Sequence, residues 1–96
     1  MNRVELTASI VEISPIRYAP SGLPVVECRF EHESQLEEAG VLRTVKLLMK
    51  AKAVGILAEK MALQQLNIPL LFNGFLASGS NSKSVVFHIH SFQSVS

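Results

Sequence analysis

The chain lacks most of the features that stabilise very small proteins or place them in membranes. Its 96 residues include one cysteine, Cys28, which excludes an internal disulfide and a zinc site built from several cysteines. No run of about eighteen apolar residues is present, so the sequence predicts no membrane-spanning helix. Only five glycines and four prolines, against 48% apolar residues, exclude a disordered or collagen-like chain. The composition predicts one packed domain over residues 1–96, with self-association as a further source of buried area.

Motifs of catalysis and secretion are missing as well. The sequence has no Gly-x-Ser-x-Gly turn, no Gly-rich phosphate loop and no aspartate. His88 and His90 are two residues apart, so both rings can reach one metal, but nothing else in the sequence supports a zinc site. The amino terminus alternates polar and apolar residues and lacks the basic-then-apolar order of a signal peptide. We expect a cytoplasmic binding protein that is not an enzyme and uses no metal or cofactor.

The formal net charge of +1 conceals two halves of opposite charge. Residues 1–40 carry three arginines and seven glutamates, a balance of −4, and residues 41–96 carry six basic residues and one glutamate, a balance of +5. A polyanion would prefer the second half, because lysine and arginine displace the counterions condensed on phosphates. A solvated surface that only keeps the protein soluble is the alternative interpretation.

Hydropathy periodicity predicts five strands and one helix. The predicted elements are strands over residues 4–13, 23–33 and 41–50, a helix over 51–66, and strands over 68–77 and 84–95. In the first strand the apolar parity changes after Ile10, which is typical of a bulge at a barrel corner. Residues 20–22 (Pro-Ser-Gly) predict a turn, residues 34–40 a hairpin loop, and the serine-rich segment around Ser80 a short flexible loop. Asn67 is a plausible end for the helix.

This βββαββ order predicts an all-β protein with one helix, a five-stranded Greek-key OB-fold barrel. A sandwich usually needs seven strands, and a barrel of SH3 type needs no helix at that place. An OB barrel binds single-stranded nucleic acid across its second and third strands and the loops that join strands one to two and four to five. The residues predicted at these places are Arg17, Tyr18, Arg43, Lys46, Lys50 and Lys83.

The aromatic side chains are predicted to occupy two kinds of position, the DNA-binding surface and the core. Tyr18 is the best stacking candidate for a base, with an aromatic lid over the end of the barrel as the equally weighted alternative. The five phenylalanines are each expected in the core, although Phe75 has the alternative of facing outward from the fourth strand. Cys28 falls on the interior parity of its strand and is expected to be an inert core thiol.

Five short stretches, spread over the whole chain, resemble one known family. They are residues 2–6 (NRVEL), 19–24 (APSGLP), 30–34 (FEHES), 37–40 (EEAG) and 73–76 (NGFL). In this register the sequence resembles the bacterial primosomal replication protein N (PriB) family. The resemblance implies an OB-fold homodimer, related to single-stranded-DNA-binding protein, that helps restart stalled replication forks. It also implies that the protein stabilises the PriA helicase on DNA and helps recruit DnaT.

The sequence departs from the family pattern where DNA would be bound. Lys46 stands where the family places an exposed tryptophan, and Val41 stands where an aromatic follows Glu-Glu-Ala-Gly. The loop before the last strand, longer and lysine-rich in the family, is shortened to residues 78–82 followed by Lys83. We predict weaker binding to single-stranded DNA than that of a lysine-rich relative, with contacts from Lys46 and Lys50 replacing part of the stacking.

A primosomal protein–protein adaptor, with weak or incidental DNA binding, is the alternative function. Its docking surface would be the acidic first half or the side chains of Leu42 and Leu48, which are predicted to be exposed. The same leucines and the edge strands are candidates for self-association.

Overall fold

A computed structural model describes residues 1–79 and 83–95. Its elements are β1 (Val4–Ile13), β2 (Arg17–Tyr18), β3 (Pro24–Glu38), β4 (Val41–Val54), α1 (Ile56–Ala62), β5 (Pro69–Ser78) and β6 (Val85–Ser94). The five long strands follow one another in the order β1-β5-β6-β4-β3, and β1 pairs back onto β3 to close a barrel. Neighbouring strands are antiparallel except β4 and β6, which are parallel. The predicted OB fold is confirmed, with the two-residue β2 added beside β3.

The predicted change of face in the first strand is a bulge that lets β1 serve two neighbours. Val4 to Ser9 pair with β5, and Ser9 to Ile13 pair with β3. Ile10 pairs with Phe30 and Glu12 pairs with Arg29, so Val11 is the extra residue. Such a residue bends and twists a strand, and here it turns β1 around the corner of the barrel.

The predicted loop over residues 34–40 is wrong, because β3 and β4 continue as a two-stranded ribbon well beyond the barrel. We call residues 33–48 the hairpin arm. Pairing runs without interruption to Glu38 and Val41, and the turn consists of Ala39 and Gly40 alone, with φ of 53° and 78°. Two positive φ values fit the type I′ turn that matches the twist of paired strands. The acidic composition indicated a loop, but an exposed ribbon tolerates charge on both faces.

The arm is fixed at its base by His32. Its Nδ1–H donates to the Thr7 carbonyl at 2.6 Å, and the Ser34 hydroxyl donates to its Nε2 at 2.8 Å. The arm contributes to the elongated shape of the molecule, 50 × 32 × 23 Å.

The helix is shorter than the predicted span of 51–66. Ala51 and Ala53 are buried on the strand alternation of β4, so the strand continues to Val54. Gly55, with φ of 81°, then redirects the chain into α1, whose Ala58 and Met61 are buried. With a helix of seven residues, the described part of the chain contains no helix long and apolar enough to cross a membrane.

The core is built around three phenylalanines from three strands. Phe30, Phe72 and Phe87 have no exposed surface, and the Phe30 and Phe72 rings stack with centroids 4.1 Å apart. Phe92 is half-buried and packs against this cluster. The core prediction is therefore confirmed for these residues but wrong for Phe75, which lies on the outside of β5 as its alternative stated.

Candidate nucleic-acid interface

A groove of about 730 Å³ crosses the outer wall of the barrel, where residues of β1, β2, β3, β4 and β6 lie near Ser78, Gly79 and Ser84. We call it the basic groove. Its charged lining consists of the cations Arg17, Arg29, Lys50 and Lys52 and the carboxylates Glu12 and Glu27. The described lining therefore carries a surplus of two positive charges, which favours an anionic ligand.

Strand register explains why these charges lie together. Glu27 on β3 pairs with Lys52 on β4, and Lys52 pairs with His88 on β6. Two residues further along the same strands, and on the same face, Arg29 of β3 pairs with Lys50 of β4. Residues directly opposite each other on neighbouring strands point to the same face of a sheet, so two transverse rows place their charges on the outer wall.

One cation of the groove already has an internal partner. Arg17 Nη2 donates to Glu27 Oε1 at 3.0 Å, and both side chains are more than half exposed, at 55% and 58%. Glu27 is held in place by Ser14, whose hydroxyl donates to the Glu27 carbonyl at 3.0 Å and accepts from its N–H at 3.1 Å. An exposed pair of this kind adds little stability, so a phosphate can compete with Glu27 for Arg17.

The surroundings of two titratable groups of the groove favour their neutral forms. Burial, followed by the nearby Lys52 ammonium, lowers the pKa of the His88 imidazole from its usual value. Burial raises the pKa of the Cys28 thiol to about 12. Cys28 therefore remains a protonated core thiol, as the sequence predicts, and the thiolate needed for nucleophilic chemistry is disfavoured.

The structure brings only part of the predicted site together. Arg17 and Lys50 line the basic groove. Lys46 points from the same face of β4 but lies on the hairpin arm, opposite Glu33. Lys83 is exposed just before β6, while Ser80, Asn81 and Ser82 of the predicted loop lie outside the described residues.

Arg43 and Tyr18 are placed elsewhere. Arg43 is paired with Glu38 near the tip of the arm, on the face opposite to Lys46 and Lys50. Tyr18 follows Arg17 in β2, so its side chain points to the other side of that strand, and it does not line the basic groove. Its ring is 68% exposed, which leaves it open to a stacking partner but not covering the core.

Sequence reasoning missed two cations of the groove, Arg29 and Lys52. The predicted strand ends at Lys50, so it leaves out Lys52. A longer strand would place Lys52 on the outer wall, because it alternates in step with Lys46 and Lys50. Arg29 is predicted to face outward from its strand, but its neighbours on that face are glutamates, which indicated an acidic surface. Within residues 1–79 and 83–95, no three His, Cys, Asp or Glu side chains converge on a point where they could hold a metal ion.

Comparison with known proteins identifies first a class and then a family. The topology and the basic groove define a barrel of the single-strand-binding class, and a family model described as "Another single-strand binding protein family" matches residues 2–91. The replication restart protein PriB of Bordetella pertussis is 39% identical over 90 residues, which cover 93% of this chain and 84% of that protein. PriB of Neisseria meningitidis serogroup B is 39% identical over 79 residues, 82% of this chain and 78% of that protein. The chain belongs to the PriB family, which confirms the resemblance found in the sequence.

Solved structures agree with this assignment. PriB from Ralstonia solanacearum superimposes with a TM-score of 0.90 at 32% identity, over 100% of this chain and 99% of that one. The single-stranded DNA binding protein from Thermus aquaticus superimposes with a TM-score of 0.77 at 20% identity, over 100% of this chain and 50% of that one. The second similarity shows a shared fold.

Proposed function

We propose that this protein is a single-stranded-DNA-binding accessory protein of replication restart, without enzymatic activity. The observation that carries the proposal is the convergence of Arg17, Arg29, Lys50 and Lys52 on one groove of an OB barrel in a chain of the PriB family. The groove lies on the β3–β4 wall, which is where OB folds accept single strands.

Each cation has a distinct role in this proposal. Lys50 and Lys52, on alternate positions of β4, contact successive phosphates of the backbone and release their counterions. Arg29, beside Lys50, offers a planar guanidinium on which a base can stack. Arg17 is held by Glu27 in the unmodified protein and contacts a phosphate only when that pair opens, so it contributes little to binding while Glu27 is present. The two carboxylates in the groove, Glu12 and Glu27, reduce its attraction for a phosphate backbone.

The protein also acts, in this proposal, as a cytoplasmic homodimer that stabilises the PriA helicase on DNA and helps recruit DnaT. The family assignment supports a role in replication restart, and the hairpin arm supports protein contacts. The arm exposes Leu36, Val41, Leu42 and Leu48, each by more than half of its surface. Leu42 and Leu48 lie on one face of the arm with Lys46, and Leu36 and Val41 lie on the other face. Exposed apolar side chains on a ribbon that extends from the barrel are typical of interaction surfaces.

The test is a titration of a labelled oligonucleotide of about thirty nucleotides, roughly twice the upper site size of one OB fold, followed by fluorescence anisotropy. We expect binding that weakens steeply with salt, and a Lys50→Ala, Lys52→Ala variant whose salt slope is smaller by about 1.4, since each phosphate contact on a single strand contributes about 0.7. Lys60→Ala, on α1, is the matched control and should bind like the unmodified protein. Equal binding by all three proteins would contradict the assignment of the groove.

A primosomal adaptor with incidental DNA binding is the second candidate, and the exposed arm favours it. In that case the protein would bind the oligonucleotide only when the helicase is present. Sedimentation equilibrium of a Leu42→Ser, Leu48→Ser variant tests the arm in self-association. Loss of the dimer would place the interface on the arm, and a persistent dimer would place it elsewhere.

A further inference from the structure

Three rings form a cluster on the outer wall, beside the basic groove. Phe75 on β5 stacks on His88 of β6, with centroids 4.8 Å apart and planes at 10°, and the His90 ring meets Phe75 edge-on at 5.5 Å. None of these rings belongs to the buried core cluster, which is built on Phe30, Phe72 and Phe87. We call the three rings the aromatic ridge.

The backbone holds the ridge in register with the cations of the groove. Phe75 pairs with His88, and His88 pairs with Lys52, so the ring lies two strands away from that ammonium in the same transverse row. At the usual spacing between strands, the backbones of Phe75 and Lys52 are about 10 Å apart.

A bulge re-aims the last ring of the ridge. Asn73 pairs with Ser91 and Gly74 pairs with Ile89, which leaves His90 as the extra residue. The strands approach so closely here that a Cβ on Gly74 would clash with the His88 carbonyl oxygen. Bulges of this kind often direct a side chain toward a functional surface.

On the far side of the ridge is a second groove, of about 390 Å³. Phe75 and His90 line it on the side of the ridge, and the other lining residues include Arg3, Asn73 and Ser91. Among the described lining residues there is no carboxylate, in contrast to the basic groove. The amino terminus is held in place because Asn2 exchanges two hydrogen bonds with the backbone of Leu76, at 2.6 and 2.9 Å, and this positions Arg3 at the groove.

We propose that a single strand of DNA leaving the basic groove crosses the aromatic ridge, stacks one base on Phe75 and places the following phosphate beside Arg3. The inference rests on the proposed function and adds a second subsite to it. A partly exposed ring between two cationic grooves fits a flexible chain that alternates flat bases with phosphates. A duplex keeps its bases stacked internally and cannot use the ring, so unpaired DNA is the expected ligand.

The chain contains no tryptophan, so a Phe75→Trp protein carries a single tryptophan, at the ridge, which can be excited selectively over Tyr18. We expect its emission to be quenched by an oligonucleotide of about fifteen nucleotides but not by one of about five, since the shorter strand occupies the basic groove alone. A Phe75→Leu variant should bind the longer strand about five-fold more weakly, the lower end of the range for one stacked base, because His88 already covers part of the ring. It should bind the shorter strand unchanged.

Two further variants separate stacking from structural effects. Arg3→Gln should reduce the salt slope for the longer strand by about 0.7 without affecting the shorter one. Phe92→Leu removes a half-buried ring that lines neither groove, so it should change stability but not affinity. Wild-type affinity for Phe75→Leu and an unquenched Phe75→Trp would overturn the ridge subsite and leave the basic groove standing. Failure of the unmodified protein to bind either strand would overturn the proposed function and this inference with it.

Discussion

Glu27 competes with DNA for the cations of the basic groove, so removing its charge should strengthen binding. It accepts the hydrogen bond of Arg17 at 3.0 Å and stands directly opposite Lys52. Glu27→Gln preserves the shape of the side chain and the backbone contacts with Ser14, which involve only main-chain atoms of residue 27. The change therefore releases Arg17 for a phosphate without altering the strand.

The size of the effect follows from counterion release. One additional phosphate contact steepens the salt slope for a single strand by about 0.7. If Glu27→Gln and the unmodified protein bind DNA equally near 1 M salt, the variant should bind about four-fold more tightly at about 0.15 M salt and about eight-fold more tightly at about 0.05 M. The lost ion pair should cost only about 0.5 kcal/mol of stability, because both side chains are more than half exposed.

Fluorescence anisotropy at these salt concentrations measures the slope, with Glu59→Gln on α1 as a charge-matched control outside the groove. A Glu27→Gln, Arg17→Gln double variant should return to the unmodified slope, since the released cation is then absent. Unchanged affinity and slope for a folded Glu27→Gln protein would refute the reasoning, because phosphates would then not reach Arg17.

The remaining predictions concern stability and pH. Gly74→Ala should destabilise by about 3 kcal/mol in urea unfolding, because its methyl group would meet the His88 carbonyl, whereas Gly40→Ala, with open space but positive φ, should cost about 1 kcal/mol. Above pH about 9 the unfolded chain loses the Cys28 proton while the folded chain keeps it. Stability should then fall with rising pH by up to about 1.4 kcal/mol per unit, and a Cys28→Ala variant measured in parallel should lack this component. Because the pKa of His88 is lowered by burial and Lys52, the unfolded state binds more protons below pH about 6.5. Stability should fall slightly on acidification, and His88→Gln should remove that loss.

Strand alternation predicted most of the fold because one face of each barrel strand is buried. The parity of Val26, Cys28 and Phe30 identified their core face, and the change after Ile10 identified the bulge. The hairpin arm escaped prediction because its strands pair in solvent, where neither face has to be apolar. The sequence predicts a helix at Ala51 and Ala53 because small apolar residues fit the helical period as well as the strand period.

Parity alone also limits what can be predicted about the basic groove. Parity shows that Lys50 faces outward but not which side chains neighbouring strands place beside it, so the partnership of Arg29 with Lys50 required the register. Phe75 was assigned to the core because β5 carries apolar residues on both faces, and only barrel closure shows which face is inside. Lys46 and Arg43 have the charge expected of DNA contacts, but the extended hairpin carries them away from the groove.

The two-residue turn of the hairpin arm has a consequence for the order of folding. β3 and β4 are neighbours in sequence and pair continuously from Val25 and Val54 to the turn, whereas β1 must meet β5 across sixty to seventy residues of chain. Local pairings cost less loop-closure entropy than distant ones, so we expect the hairpin to form first and the β1–β5 seam to close last. In pulse-labelling hydrogen exchange, amides of β3 and β4 should be protected earlier than those of residues 4–9 in β1. The basic face of β3 and β4, with Arg29, Lys50 and Lys52, would then form before the barrel closes. Polyanions could therefore bind it during folding as well as in the folded protein.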